Sequence, residues 1–133
     1  MKIAYIVPYV PNQIRTRSYN LIASLTQLGH EVDLFTLGSG QADFEDAKAL
    51  EAKCYAVHYQ DQPVWRSLIN SALAVASYKP LQSVYSWNPK FASQIRTLLE
   101  SENRSSYDVI HVEHLRGSSY GVFMKSRFPA MPV

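Results

Sequence analysis

The segment "KIAYIVPYVPNQIRTRSYNLIASL", residues 2–25, decides the fold. Its first part, 2–7, is a near-continuous apolar run, which is typical of a strand buried on both faces of a parallel sheet. A helix is predicted next, with one apolar face made of Leu21, Ile22, Leu25 and Leu28. Gly29 is placed to cap that helix at its C-terminus. The segment therefore predicts a strand, a glycine-free loop and a helix, which is the first half of a β-α-β unit.

The rest of the chain repeats this alternation. Further strands are predicted at 31–37, 54–59 and 107–114, and "MPV" at the end has the pattern of a fifth strand beginning. Helices are predicted at 42–53, with apolar positions Phe44, Ala47 and Leu50, and from Pro63 to about Ser77. Another helix is predicted after the Asn88-Pro89 cap, with inward positions Phe91, Ile95, Leu98 and Leu99, and a last one at 118–127 with a serine cap. The segment "LQSVYSW" is ambiguous. This order predicts an α/β fold of the Rossmann-like three-layer α/β/α type, with a mostly parallel sheet.

Size and composition limit the function classes. The 133 residues predict one domain, and 47% hydrophobic residues argue against disorder. A net charge of +2 with scattered basic residues does not favour nucleic acid as a partner. The single cysteine, Cys54, excludes an internal disulfide and is expected to be buried. We expect no signal peptide, because the apolar run of "MKIAYIVPYV" is short and meets proline at once, and the longest apolar stretch of the sequence is too short to span a bilayer; both features favour a cytoplasmic location.

Ligands of open parallel sheets bind outside the carboxyl ends of the strands, where the strand order reverses. The loops expected there follow strands 1 and 4, "PYVPNQIRTRS" and "EHLRGSS". Arg15 and Arg17 lie near the start of a helix, where a cation is disfavoured by roughly 0.3–1 kcal/mol. One explanation is structural: the two arginines have a carboxylate partner nearby, or the helix begins later. The other is functional: they attract an anion together with Arg116.

The histidines do not predict a metal site. His111 and His114 are three apart on a strand and point to opposite faces, so they cannot grip one ion together. His111 is expected to be packed, whereas His114 at the strand end could meet a substrate hydroxyl. Tyr85 and Trp87 either form a stacking wall for a sugar or lipid, or pack the segment that contains them. The glycine patterns of dinucleotide sites, phosphate-binding loops and nucleophile elbows are absent from the sequence.

Four segments together resemble one family. "LTQLGHEVDLFT" (25–36) resembles the L-x-x-x-G-H-E-V stretch in the first half of GT-B glycosyltransferases, and "YDVIHVEHLRGSSY" (107–120) is similar to the D-h-h-H-h-x-x-h-R segment of group 1 (family 4) sugar transferases linked to exopolysaccharide synthesis. "KPLQSVYSWNPKFASQIRTLLE" (79–100) and the R-x-R-x-Y-x-L-h pattern of the first loop also fit that subgroup. The resemblance covers nearly the whole chain.

The resemblance implies the acceptor-side, N-terminal half of a GT-B enzyme. Such enzymes retain anomeric configuration, usually need no metal or other cofactor, and bind the nucleotide-sugar donor mainly through a second domain that carries E-x7-E, a spacing not found here. Residues 1–133 are therefore expected to be a single-domain fragment, inactive alone, whose partners are that second domain, the donor and a glycan or lipid-linked acceptor. Carried over by motif, His114 and Arg116 are the expected catalytic contacts.

The expected substrate-binding residues share the two loops and the segment before the Asn88 helix: Asn12, Arg15, Arg17, Glu113, Tyr120, Tyr85 and Trp87. One departure is notable, because many relatives carry a Gly-Gly pair after the first strand. In this chain, arginine side chains would take the place of the backbone N–H groups that approach the ligand in those relatives. The alternative function is a stand-alone, flavodoxin-like domain that binds an anion or a partner without catalysis, and peripheral membrane contact through 63–88 is a further expectation.

Overall fold

The computed structural model describes residues 1–76, 80–101 and 107–133. Its strands are β1 (Lys2–Val7), β2 (Glu31–Gly38), β3 (Ala56–Asp61) and β4 (Val109–Val112). Its α-helices are α1 (Thr16–Gln27), α2 (Gly40–Ala49), α3 (Val64–Ala76), α4 (Leu81–Tyr85), α5 (Pro89–Ser101) and α6 (Ser118–Arg127), with 3-10 turns at Leu50–Ala52 and Leu115–Gly117. The predicted α/β architecture is confirmed, and the predicted end of α3 near Ser77 lies outside the described residues.

The four strands form one parallel sheet in the order β3-β2-β1-β4. The chain builds outward from β1 through β2 to β3 and then crosses back to place β4 on the other side of β1. The strand order therefore reverses between β1 and β4, as predicted, and the loops after these two strands meet at one edge of the sheet.

Apolar layers cover both faces of the sheet, which makes the fold a three-layer sandwich. On one face, α1 and α2 pack over alternate strand residues such as Tyr5 and Leu34. On the other face, α5 and α6 pack over Ile6, Phe35 and their neighbours. The predicted inward positions of α5 are confirmed: Phe91, Ile95 and Leu99 are buried, and Leu98 packs against the same cluster.

Two helix ends show how local chemistry sets the boundaries. Asn88 accepts hydrogen bonds at Oδ1 from the backbone N–H of Lys90 at 3.0 Å and of Phe91 at 3.4 Å, so it is the predicted cap. Gly29 follows Leu28, the C-cap residue of α1, and has φ +81°, a conformation that favours glycine. Leu28, in contrast, was expected to face inward and is 73% exposed, because it lies at the helix end where the chain turns away.

Other boundaries correct the sequence prediction. β3 begins at Ala56 rather than at 54, because the 3-10 turn after α2 uses the preceding residues. The serine cap of α6 is wrong: Gly117 is already helical, so the 3-10 turn runs directly into α6. Phe44 is 47% exposed, although Ala47 and Leu50 are buried. No strand forms in the described residues 131–133, but the Ile110 N–H donates to the Pro132 carbonyl at 2.9 Å.

Candidate functional site

A cleft lies at the carboxyl edge of the sheet, between the loops that follow β1 and β4. Its basic lobe is lined by Tyr9, Ile14, Arg15, Thr16, Arg17, His114 and Arg116. Its polar lobe shares Tyr9, Arg15 and Arg116 with the basic lobe and continues past Gly38, Asp43, Gln62, Ser67 and Tyr85. The two arginines common to both lobes therefore stand at the centre of the cleft.

Arg15 lies at the N-cap position of α1. Asn12 organises the turn before it: its Oδ1 accepts from the N–H groups of Ile14 at 3.1 Å and Arg15 at 2.9 Å, and its Nδ2 donates to Asp46. The Arg15 guanidinium lies over the Tyr9 ring and donates to the Val10 carbonyl at 3.2 Å. No ion pair joins Arg15 to a carboxylate of the described ranges, so its charge is available to an anion in the cleft.

Arg17 has a different environment, although it is only two residues further along. Its Nε lies 3.2 Å from Oε1 of Glu113, so the alternative of a carboxylate partner holds for this arginine. The Arg17 side chain is 88% exposed, whereas Glu113 is almost fully buried. Solvent screens such a pair, so Arg17 adds little stability while remaining at the rim of the basic lobe.

Glu113 is the centre of a buried polar network below that lobe. Its Oε2 accepts from the Tyr5 hydroxyl at 2.7 Å and lies 3.1 Å from Nε2 of His111. Burial alone would raise the pKa of Glu113, but the hydrogen bonds from Tyr5 and His111 and the charge of Arg17 lower it below its ordinary value. Glu113 is thus a charged support for the loop, with its oxygens already occupied.

His114 adopts φ 71° and ψ 153°, a backbone conformation that residues other than glycine rarely adopt. Such strain of about 1–3 kcal/mol persists only where the surroundings hold it, and it concentrates at functional sites. The Nδ1 atom of His114 accepts from the Arg116 N–H at 3.3 Å, and its ring meets Tyr9 edge-on. The unusual backbone turns His114 into the basic lobe instead of along the strand.

Arg116 and Tyr85 join the β4 loop to the helical segment between β3 and α5. The Arg116 guanidinium lies over the Tyr85 ring, 5.3 Å from its centroid. Both residues line the polar lobe. Tyr85 is therefore placed where a stacking residue was expected, but one of its faces already holds a cation.

Three of the residues expected to bind substrate instead make contacts within the protein. Tyr120 is fully buried, and its hydroxyl donates to the Ser86 carbonyl and accepts from the Asn88 N–H. Trp87 packs against Tyr120 and Phe123 and does not line the cleft. Asn12 accepts the hydrogen bonds that stabilise the turn before α1, as described above.

Gln62 and Ser67 are cleft residues that sequence reasoning missed. Gln62 lies directly after β3, at the same edge of the sheet as the two loops, and that position is the signal that could have found it. Its Nε2 donates to Ser67 Oγ and to the Tyr85 carbonyl, while Oε1 is buried and has no hydrogen-bond partner in the described structure. Since Tyr85 O can only accept, this contact assigns the amide orientation.

Among the described residues, no group of three or more His, Cys, Asp or Glu side chains is placed to hold a metal ion. Burial raises the pKa of the Cys54 thiol to about 12, so this cysteine is not a ready nucleophile. Within the described ranges no helix has the length and apolar character needed to cross a membrane.

Comparisons with known proteins return no match: no family model, no curated protein and no solved structure corresponds to this chain. The resemblance to family 4 sugar transferases therefore stays a prediction based on the motifs quoted above.

Proposed function

We propose that this chain is the acceptor-side domain of a retaining glycosyltransferase that uses a nucleotide-sugar donor and works in polysaccharide or cell-envelope glycan synthesis. The observation that carries the proposal is the pair Arg15 and Arg116, two guanidinium groups without an ion pair among the described residues, in a cleft where the strand order reverses. Anionic ligands of parallel α/β proteins bind at this place. The motif resemblance supplies the reaction class.

The chemistry of sugar transfer suits such a cleft. When the bond between the anomeric carbon and the donor diphosphate breaks, negative charge grows on the leaving oxygen, and fixed cations stabilise it. Arg15 and Arg116 supply that charge through side chains, in place of the backbone N–H groups of a glycine-rich turn. His114 is aimed into the same lobe and would contact the transferred sugar or the acceptor.

The polar lobe suits a hydroxylated acceptor. Asp43, Ser67 and Gln62 line it together with Arg116 and Tyr85. Orienting an acceptor hydroxyl toward the anomeric carbon is the second task of the enzyme. Completion of the reaction would fall to a second, donor-binding domain, and a cytoplasmic location belongs to the same proposal.

The test has two parts. Calorimetric titration of the chain with inorganic pyrophosphate and with a uridine or guanosine diphosphate should give binding that Arg15→Gln or Arg116→Gln weakens about tenfold each. Arg127→Gln is the matched control, because Arg127 also lies over an aromatic ring, that of Phe123, but on α6 outside the cleft. Equal affinities for all three variants would contradict the anion site.

The second part tests catalysis with the product of the whole reading frame. A screen of nucleotide-sugar donors should detect donor hydrolysis or transfer, and His114→Ala and Arg116→Ala should reduce it strongly. Anion binding without any turnover would favour the alternative, a flavodoxin-like binding domain in which the same two arginines hold a small anion or an acidic partner.

A further inference from the structure

The helix α3 exposes its apolar face and buries its polar face, which is the reverse of an ordinary surface helix. Its exposed arc carries large apolar side chains: Val64 at 65%, Trp65 at 56%, Leu68 at 65%, Ile69 at 50% and Val75 at 75% exposed. Its buried residues are Ser67, Asn70 and Ala74. An amphipathic helix on a globular protein normally buries its apolar face and exposes its polar one.

Hydrogen bonds hold α3 in this orientation. Asn70 Nδ2 donates to the carbonyls of Tyr85 at 3.1 Å and Trp87 at 2.8 Å, and Ser67 Oγ meets Gln62 at 3.3 Å. Rolling the helix to bury its apolar arc would break these contacts and cost the buried Asn70 amide its hydrogen bonds. The apolar face is thus a fixed feature of the surface.

The sequence segment that contains α3 carries charged residues of one sign. Residues 62–99 contain no Asp or Glu but include Arg66, Lys79, Lys90 and Arg96. Arg66 borders the apolar arc, and its guanidinium lies over the Trp65 ring. An apolar face bordered by an arginine complements a negatively charged surface.

We propose that α3 docks on the surface of an anionic lipid bilayer. Exposed Trp, Leu, Ile and Val beside a basic residue, here Arg66, are features of a helix that lies in the interface plane. At 13 residues, α3 is about 20 Å long and lies flat instead of crossing. The exposed arc is apolar, and the Arg66 guanidinium at its border is placed to meet lipid headgroups beside an apolar layer.

The docking surface continues into the cleft, because Val64 at the start of α3 lines the polar lobe together with Tyr85 and Arg116. A bilayer against α3 would place the cleft beside the lipid headgroups. That this delivers a lipid-linked acceptor to Arg15 and Arg116 rests on the proposed function, whereas the docking of α3 does not.

Flotation with lipid vesicles tests the docking. The whole chain should bind vesicles rich in phosphatidylglycerol and bind pure phosphatidylcholine weakly. Replacing two apolar residues together, Trp65→Ser with Leu68→Ser, should lower binding to the anionic vesicles about tenfold or more. The matched control is Leu28→Ser with Val122→Ser, since both residues are 73% exposed, Leu28 directly after α1 and Val122 on α6; this variant should bind like the unaltered chain.

A second measurement needs no variant. Anionic lipids with brominated acyl chains should quench the tryptophan emission of the unaltered chain, because Trp65 enters the interface. Three results would overturn the proposal. These are a chain that does not bind anionic vesicles, an equal loss of vesicle binding in both double variants, and a dimer of the chain that only the Trp65/Leu68 variant disperses. Pyrophosphate binding of that variant should be unchanged, so failure of the docking is distinguishable from failure of the anion site.

Discussion

The helices α3 and α5 have the same length of 13 residues but use their faces in opposite ways. α5 buries Phe91, Ile95 and Leu99 against the sheet, and its exposed side is polar. α3 buries Ser67 and Asn70 and exposes its large apolar residues. The difference teaches that burial follows the hydrogen-bond partners a helix meets as well as its apolar periodicity, because a satisfied polar group can be buried at modest cost.

The sharpest test of this comparison removes an aromatic side chain from each helix. Phe91→Ala in α5 should lower the free energy of unfolding by about 3–5 kcal/mol, since it leaves a cavity in a packed core. Trp65→Ala in α3 should change it by no more than about 0.5 kcal/mol, since the ring is 56% exposed. Urea unfolding followed by circular dichroism measures both, and similar losses would contradict the assigned faces.

The polar face of α3 is tested at Asn70. Asn70→Ala should lower the free energy of unfolding by about 1–3 kcal/mol, because the carbonyls of Tyr85 and Trp87 lose a buried donor. Asn20→Ala is the control, since Asn20 is exposed on α1 and alanine is a better helix former. An Asn70 variant as stable as its control would show that α3 is not anchored by this side chain.

The same principle applies to Glu113, a buried charge satisfied by Tyr5, His111 and Arg17. Its pKa is lower in the folded chain than in the unfolded one, so its contribution to stability is present above about pH 4.3 and is lost as the pH falls through the folded-state pKa. Unfolding measured between neutral and acidic pH should show this loss.

Glu113→Gln should remove that part of the pH dependence, and it should lower stability at neutral pH by about 1–2 kcal/mol, since hydrogen bonds to a charged group are replaced by neutral ones. The control is Glu45→Gln, an exposed carboxylate on α2. An unchanged acid limb in the Glu113 variant would mean that its hydrogen bonds do not favour the ionised form.

Local sequence determined the layers of this protein. The apolar run 2–7, the Asn88 cap and the inward face of α5 depend on neighbouring residues, so periodicity and capping chemistry predicted them. The switch point between β1 and β4 was also predictable, because it follows from the rules for parallel sheets. The bounds of β3 were not, since β3 is at the edge of the sheet and its residues are only half-buried.

Tertiary structure alone decided the character of the cleft and of α3. Nothing in the local pattern separates Arg15 from Arg17, yet one faces the cleft unpaired among the described residues and the other meets Glu113, nearly a hundred positions away in the chain. Gln62 reaches the site because β3 ends beside β2, and α3 turns its polar side inward because it meets two carbonyls of the next segment. These outcomes depend on contacts between distant parts of the chain, which periodicity does not encode.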